Sequence, residues 1–286
     1  MVKVSLRAPT AADAPVLGGI CYRAFKAIAE AHNYPPDMPS AEAATGFVSA
    51  LTAAPEIFGV AAEAGGRLVG SNFLDERNPI SGVGPITVDP EAQNSGVGRA
   101  LMGAVMQRSD ERGFAGVRLV PAGYHMRSLS LYLRLGFEAR EHLSCLQGPA
   151  IGKTVAGCTV RAATPEDLAA CDAVCFSVHG HPRSGELASA IGAGTARVVE
   201  RGGRITGYAS ALAFSGHAAG ETNDDLEALI GAAEAFGGPG ILVPTGNGEL
   251  MRWGLAEGLH IVQSLTLMSR GLYNEPRGAW LPSVIY

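Results

Sequence analysis

Polar and apolar residues alternate over positions 3–7 (KVSLR), which predicts an opening strand. A helical period follows from Asp13 to about Ala31, and another from 41 to 53 that stops before Pro55. The loop HNYPPDMPS at 32–40 parts them. Segments 57–63 and 67–75 alternate on either side of Gly65-Gly66, a pair suited to the positive φ of a tight hairpin turn. Residues 83–88 predict a further strand. Between Gly98 and Arg112 the apolar residues Leu101, Met102, Val105 and Met106 share one face, and Gly113 stops the helix. A strand at 117–120, a helix at 128–135 and a strand at 137–146 complete the order βααβββαβαβ. That order predicts an α/β (α+β layered) fold with mixed strand pairing.

The pattern then repeats. Arg7, Ala8, Thr10, Asp13 and Cys21 match Arg161, Ala162, Thr164, Asp167 and Cys175 at a constant offset of 154. Both stretches read as a strand, a Thr N-cap with Asp three residues on, and a helix. GGRLVG at 65–70 matches GGRITG at 202–207 with the offset reduced to 137, and 135–137 matches 257–259 at 122. The second copy is therefore shorter by about 17 residues before its hairpin and about 15 after it. Two related domains are expected, 1–147 and an abbreviated 158–286, each a central mixed sheet flanked by helices, joined by a Gly- and Pro-containing linker at 148–157.

Composition narrows the class. Hydrophobic residues make up 47% of 286, enough for a real core. The 38 Gly and 17 Pro stay below the fraction typical of low-complexity chains. A net charge of −5 supplies no basic footprint for nucleic acid. No apolar run is long enough for a membrane span, and the first ten residues alternate rather than form a signal peptide, so a cytoplasmic protein is expected. Five Cys without a C-x-x-C spacing read as buried thiols, and no metal is expected.

The most informative stretch is ITVDPEAQNSGVGRALM, 86–102. A buried strand ends at Val88, Pro90 stops it, and Gly96 and Gly98 open a helix. Successive backbone N–H groups then converge at the positive end of the helix dipole, where a pyrophosphate fits. Arg99 adds a cation nearby. The pattern is neither a Walker A nor a G-x-G-x-x-G motif.

V-x-P-x-x-Q-x-x-G-x-G at 88–98, followed by L-Y-x-x-x-G-F at 131–137, resembles the GCN5-related N-acetyltransferases (GNAT), and the chain's element order is similar to theirs. The resemblance covers 3–147 closely and 159–286 through the repeat; the C-terminal stretch resembles a bacterial subgroup. It implies acetyl-CoA as co-substrate, with Gln93, Asn94, Ser95, Gly96, Val97, Gly98, Arg99 and Ala100 around the pyrophosphate and Ile86, Thr87 and Val88 along the pantetheine arm. It implies that Tyr132 protonates the departing thiolate. No carboxylate lies on 83–88, where some family members have one. Glu76 is then the expected base, with Asp75 beside it at the substrate pocket; a backbone carbonyl acting through water is an equal contender. Arg127 stands near an expected coenzyme A phosphate, in AGYHMRS where many members carry an Asn. His32 and Tyr34 fall in the loop that usually lines the acceptor pocket.

The second copy lacks these parts. Its region reads SGHAAGETNDDLEALIGAAEAF, with Asp224, Asp225 and Glu227 at the helix start and Gly254 at the Tyr132 offset. His179, His181 and His217 read as solvated or capping residues. Trp253, Trp280 and the final PSVIY read as apolar anchors against the first domain, positioned to wall its acceptor pocket. The expectation is direct acetyl transfer to a primary amine of a small molecule or peptide, in a monomer or homodimer, without nucleic-acid or membrane partners. A non-catalytic acyl-CoA sensor and a structural interaction protein remain open alternatives at this point.

Overall fold

The computed structural model describes residues 4–285. The expected strand start at Lys3 and the outermost residues of both expected domains lie outside that range. The described first half runs β1 (Val4–Arg7), α1 (Ala14–Ala31), α2 (Ala41–Ala53), β2 (Ile57–Ala64), β3 (Arg67–Asp75), β4 (Ile80–Val83), β5 (Thr87–Val88), α3 (Val97–Arg112), β6 (Gly116–Leu119), α4 (Met126–Arg134) and β7 (Glu138–Gln147). The second half runs β8 (Cys158–Ala162), α5 (Leu168–His179), α6 (Ser184–Gly192), β9 (Arg197–Arg201), β10 (Arg204–Ala209), β11 (Ala218–Gly220), α7 (Asn223–Gly231), β12 (Ile241–Pro244), α8 (Gly248–Ala256), β13 (His260–Gly271) and β14 (Ala279–Leu281).

The repeat is visible in side-chain detail. Arg7 pairs with Asp13 at 2.7 Å and with Glu63 at 2.7 Å; Arg161 pairs with Asp167 at 2.6 Å and with Glu200 at 2.7 Å. Thr10 with Asp13, and Thr164 with Asp167, form reciprocal capping boxes. The Arg and Asp positions keep the offset of 154, whereas Glu63 and Glu200 already show 137.

The halves share a sheet. Its order is β1-β2-β3-β4-β6-β13-β7-β12, with β5 attached to β3. The β13 strand is the second half's counterpart of β7, yet it lies between β6 and β7, antiparallel to both. The 148–157 segment therefore separates the copies in sequence but not in the sheet. Only the five strands β14-β11-β10-β9-β8 form a second sheet, and every recorded pair in it is antiparallel rather than mixed. The first sheet is mixed through its parallel β4–β6 pair.

The expected continuous strand at 83–88 is broken. Residues Leu74 and Asp75 of β3 pair with β4, while Gly70 and Ser71 pair with β5; Gly84, Pro85 and Ile86 bulge out between them, around a cis Gly84–Pro85 bond. The β4–β6 register stops at Gly82–Arg118. Past that point the strands diverge and leave a cleft in the middle of the sheet.

In the second half the start of α7 is closed by its own side chain. Fully buried Asp225 accepts from the Thr222 backbone N–H at 2.9 Å and from Thr206 Oγ1 at 2.6 Å, and pairs with Arg201 at 3.2 Å. The acidic helix start does more than repel an anion: its carboxylate fills the place itself. Asp225→Ala removes the acceptor of the Thr222 N–H and of Thr206 Oγ1 and the shortest of Arg201's ion pairs, and is expected to lower stability by about 3 kcal/mol. Denaturant unfolding checks this, and an unchanged midpoint contradicts it.

The three histidines are not solvated. His179, His181 and His217 are all buried, with His217 Nε2 3.1 Å from His179 Nε2 and Trp280 packed edge-on at 5.5 Å. The end of α5 faces β11 across the small residues Ala218 and Ala219, which leave room for imidazoles. Burial holds all three well below the ordinary histidine range, so they stay neutral near pH 7. Five free thiols complete the core and its margins, four of them buried.

Candidate active site

The turn at 93–100 has the expected form. Gly96 is the N-cap of α3 with φ +93°, a conformation costly for a side-chain-bearing residue, and Asn94 also lies at φ +64°. A Cβ added at Gly96 would point into open space, and one at Gly98 would only touch Leu131 and Val88 at 3.8 Å. Among the described residues, the backbone N–H groups of 94–99 have no acceptor, and the first intrahelical bond is Ala100 N–H to Gly96 at 3.0 Å. These donors converge on an uncovered surface with the helix's positive end behind them. That arrangement suits an anion such as a phosphate.

Arg127 reaches back from the first turn of α4. Its guanidinium donates to Gln93 Oε1 at 2.5 Å and to Asn94 Oδ1 at 3.3 Å. Arg99 is exposed in the first turn of α3. The β5 strand pairs only with β3 among the described residues, which leaves the other edge of Thr87–Val88 open toward the cleft.

The cleft widens into a cavity of about 430 Å³, within the range of small-molecule sites. One wall is 83–86 together with 119–122, where β4 and β6 splay. Another is α4, which contributes His125, Ser128 and Tyr132 at spacings of three and four, one helical face. Ser128 Oγ is 2.8 Å from His125 Nδ1 and also hydrogen-bonds the Tyr132 phenol. Burial pushes the Tyr132 phenol up to about 12, partly offset by the Ser128 bond. His125 is lowered to about 4 by burial, with Arg127 and His32 adding to it. Near neutral pH the group is thus a protonated phenol, a hydroxyl and a neutral imidazole.

The expected base does not reach this cavity. Glu76 is held by Arg108 at 2.6 Å and Arg112 at 3.6 Å, and Asp75 is clamped by Arg77. Neither lines the cavity. Asp75 ends β3 and Glu76 turns toward α3, so both become structural ion pairs rather than a base and a pocket residue. His32 and Tyr34 flank Tyr124 at the rim, with ring centroids 5.3 and 4.3 Å from it, and do not line the cavity either. Their loop does contribute, through Asp37, Met38 and Pro39.

Asp37 is the residue the sequence reading missed. Among the described residues lining the cavity it is the only carboxylate, and it accepts from Gln263 Nε2 at 2.9 Å. Apolar surroundings raise it above the ordinary carboxylate range, with the Gln263 bond acting against that. One signal was available, since Asp37 is the sole charge in 31–41.

The remaining wall comes from the second half: Phe214, Ser215, Pro239, Val284 and Ile285 among others. Val284 and Ile285 of the ending thus lie at the pocket as expected, and Trp280 is buried in a core cluster that also contains Ile80, Val120 and Leu143 of the first half. The described residues include no group of three or more His, Cys, Asp or Glu that could hold a metal ion. No described helix is long and apolar enough to cross a membrane.

Comparison with known proteins agrees with this geometry. A protein from Pyrococcus horikoshii provisionally described as an acetyltransferase superposes with a TM-score of 0.71 at 17% identity, covering 99% of this chain and 92% of that one. A GCN5-related N-acetyltransferase from Sphaerobacter thermophilus gives 0.62 at 17% identity, covering 96% and 97%. At that identity the likeness is one of fold, extending over both halves. No curated protein sequence matches the chain. Residues 22–137 match the acetyltransferase (GNAT) family model.

Proposed function

We propose that the chain is an acetyl-CoA-dependent N-acetyltransferase whose first half carries the chemistry, with acetyl passed directly to a primary amine. One observation carries this reading. The α4 helix spans both parts of the site: Arg127 at its start touches the phosphate-type cradle, and Ser128 and Tyr132 further along face the cavity. The pattern of open N–H groups, the uncovered Gly96 and the free β5 edge fits a pyrophosphate and an extended amide-bearing arm.

Acetyl-CoA supplies an acyl thioester, whose C–S bond breaks as the C–N bond to the amine forms. Tyr132, protonated at any physiological pH, is the residue to give the leaving thiolate its proton. Ser128 and His125 lead from its phenol oxygen to the rim and can restore that proton from solvent. Asp37 faces the cavity as an acceptor for the proton the amine must lose. Holding both reactants in one apolar cavity contributes to the rate on its own account. The second half keeps neither cradle nor acid: Asp225 blocks the one, and Gly254 replaces the other.

A thiol-release assay with acetyl-CoA and a panel of amines tests the assignment. The pH dependence of kcat/KM has a fixed sign. Asp37 must be ionised to accept a proton and is raised, so activity falls as pH drops through its elevated value. Tyr132 stays protonated to about 12 and contributes no alkaline limb below that. The expected result is a single acidic limb, which Asp37→Asn removes together with most of the activity. Absence of thiol release with every amine, despite acetyl-CoA binding, favours the sensor reading.

A further inference from the structure

We infer that the acetyl acceptor is a monoamine on a compact apolar skeleton, its ammonium held by Asp37 and its body packed against a wall drawn from both halves of the chain. The inference rests on the transferase reading above and specifies the occupant of the same cavity.

Among the described residues lining the cavity, Asp37 is the one carboxylate. Around it stand Phe25, Met38 and Phe47 from the first half and Phe214, Val284 and Ile285 from the second. A polyamine would press its further ammonium groups against apolar side chains with no counter-charge, a costly burial. An amino sugar would leave most of its hydroxyls without partners on the same wall. A single ammonium on an aromatic or branched alkyl body satisfies Asp37 and buries its remainder favourably. His125 is uncharged near neutral pH and does not compete for the carboxylate.

The wall is built rather than incidental. Gln263, on β13 of the second half, orients the Asp37 carboxylate from a buried position. Phe214 N–H bonds Gly237 at 3.0 Å, Val284 N–H bonds Phe214 at 2.9 Å, and Ser283 Oγ donates to Ser215 at 2.9 Å. These bonds tie two loops and the C-terminal segment into one surface over the pocket. Acceptor choice is thereby assigned to the half that has lost the cradle.

Calorimetric binding of phenethylamine, spermidine and glucosamine to the full chain saturated with coenzyme A tests this. Phenethylamine is expected to bind at least about tenfold more tightly than either of the others. The near-isosteric Asp37→Asn should weaken it about tenfold or more while coenzyme A affinity stays the same, and Phe214→Ser should weaken it without altering the cradle. Equal or tighter binding of spermidine or glucosamine overturns the inference, as does undiminished binding in Asp37→Asn. The wild-type panel decides the matter even if a variant fails to fold. Phenethylamine binding that depends on Asp37 without any thiol release from acetyl-CoA leaves this pocket assignment standing and removes the transferase reading instead.

Discussion

Gly98→Glu is expected to weaken coenzyme A binding at least about a hundredfold and to abolish its thermal shift. A new carboxylate beside bound phosphate repels it by about 4 kcal/mol at a 4 Å separation and an effective dielectric near 20. That exceeds the ~2.7 kcal/mol that a hundredfold requires. The fold should survive, because a Cβ at Gly98 meets only Leu131 and Val88 at ordinary contact distance. An acidic residue in the first turn also suits the helix dipole of α3. Gly98→Ala supplies the control, with a much smaller loss. The measurement is melting temperature with and without coenzyme A; an undiminished shift in Gly98→Glu would falsify the cradle assignment.

Tyr132→Phe should lower kcat by about two to three powers of ten, the range of a lost general acid, with coenzyme A affinity unchanged. The substitution removes one oxygen and keeps the ring, which packs edge-on to Phe137 at 6.2 Å. Stability should therefore change little. Ser128 loses its bond to the phenol but keeps His125 at 2.8 Å. Steady-state kinetics with a fixed amine check this, and full activity in the variant removes Tyr132 from the mechanism. Loss of coenzyme A binding would mean that the phenol holds ligand rather than protonating it.

Local features were legible where local physics decides them. The cradle follows from Pro90, Gly96 and Gly98, since a strand stop and glycines with free φ specify a turn within a dozen residues. The two capping boxes follow from Thr and Asp three apart, and their Arg partners from the repeat. The base was not legible. Glu76 and Asp75 lie close to the cleft along the chain, but Arg77, two residues on, clamps Asp75, and Arg108, which neutralises Glu76 from 32 residues away, is brought there by packing. Asp37 sits in a Pro-rich loop with no period, and its position depends on what buries it. The histidines are 38 residues apart in the pair that touches, so spacing alone could not bring them together. Nor could strand propensity reveal that β13 belongs to the other copy's sheet.

The position of β13 also governs when the site can exist. Its last residue, Gly271, pairs with Gly116, and the strand fills the gap between β6 and β7. Ribosomes at about 5–20 residues per second need roughly 6–25 s to travel from residue 147 to 271. During that interval β6 and β7 have emerged but cannot be completed. The cavity's sheet can be completed only once residue 271 has emerged, so the second copy sets the clock for the first.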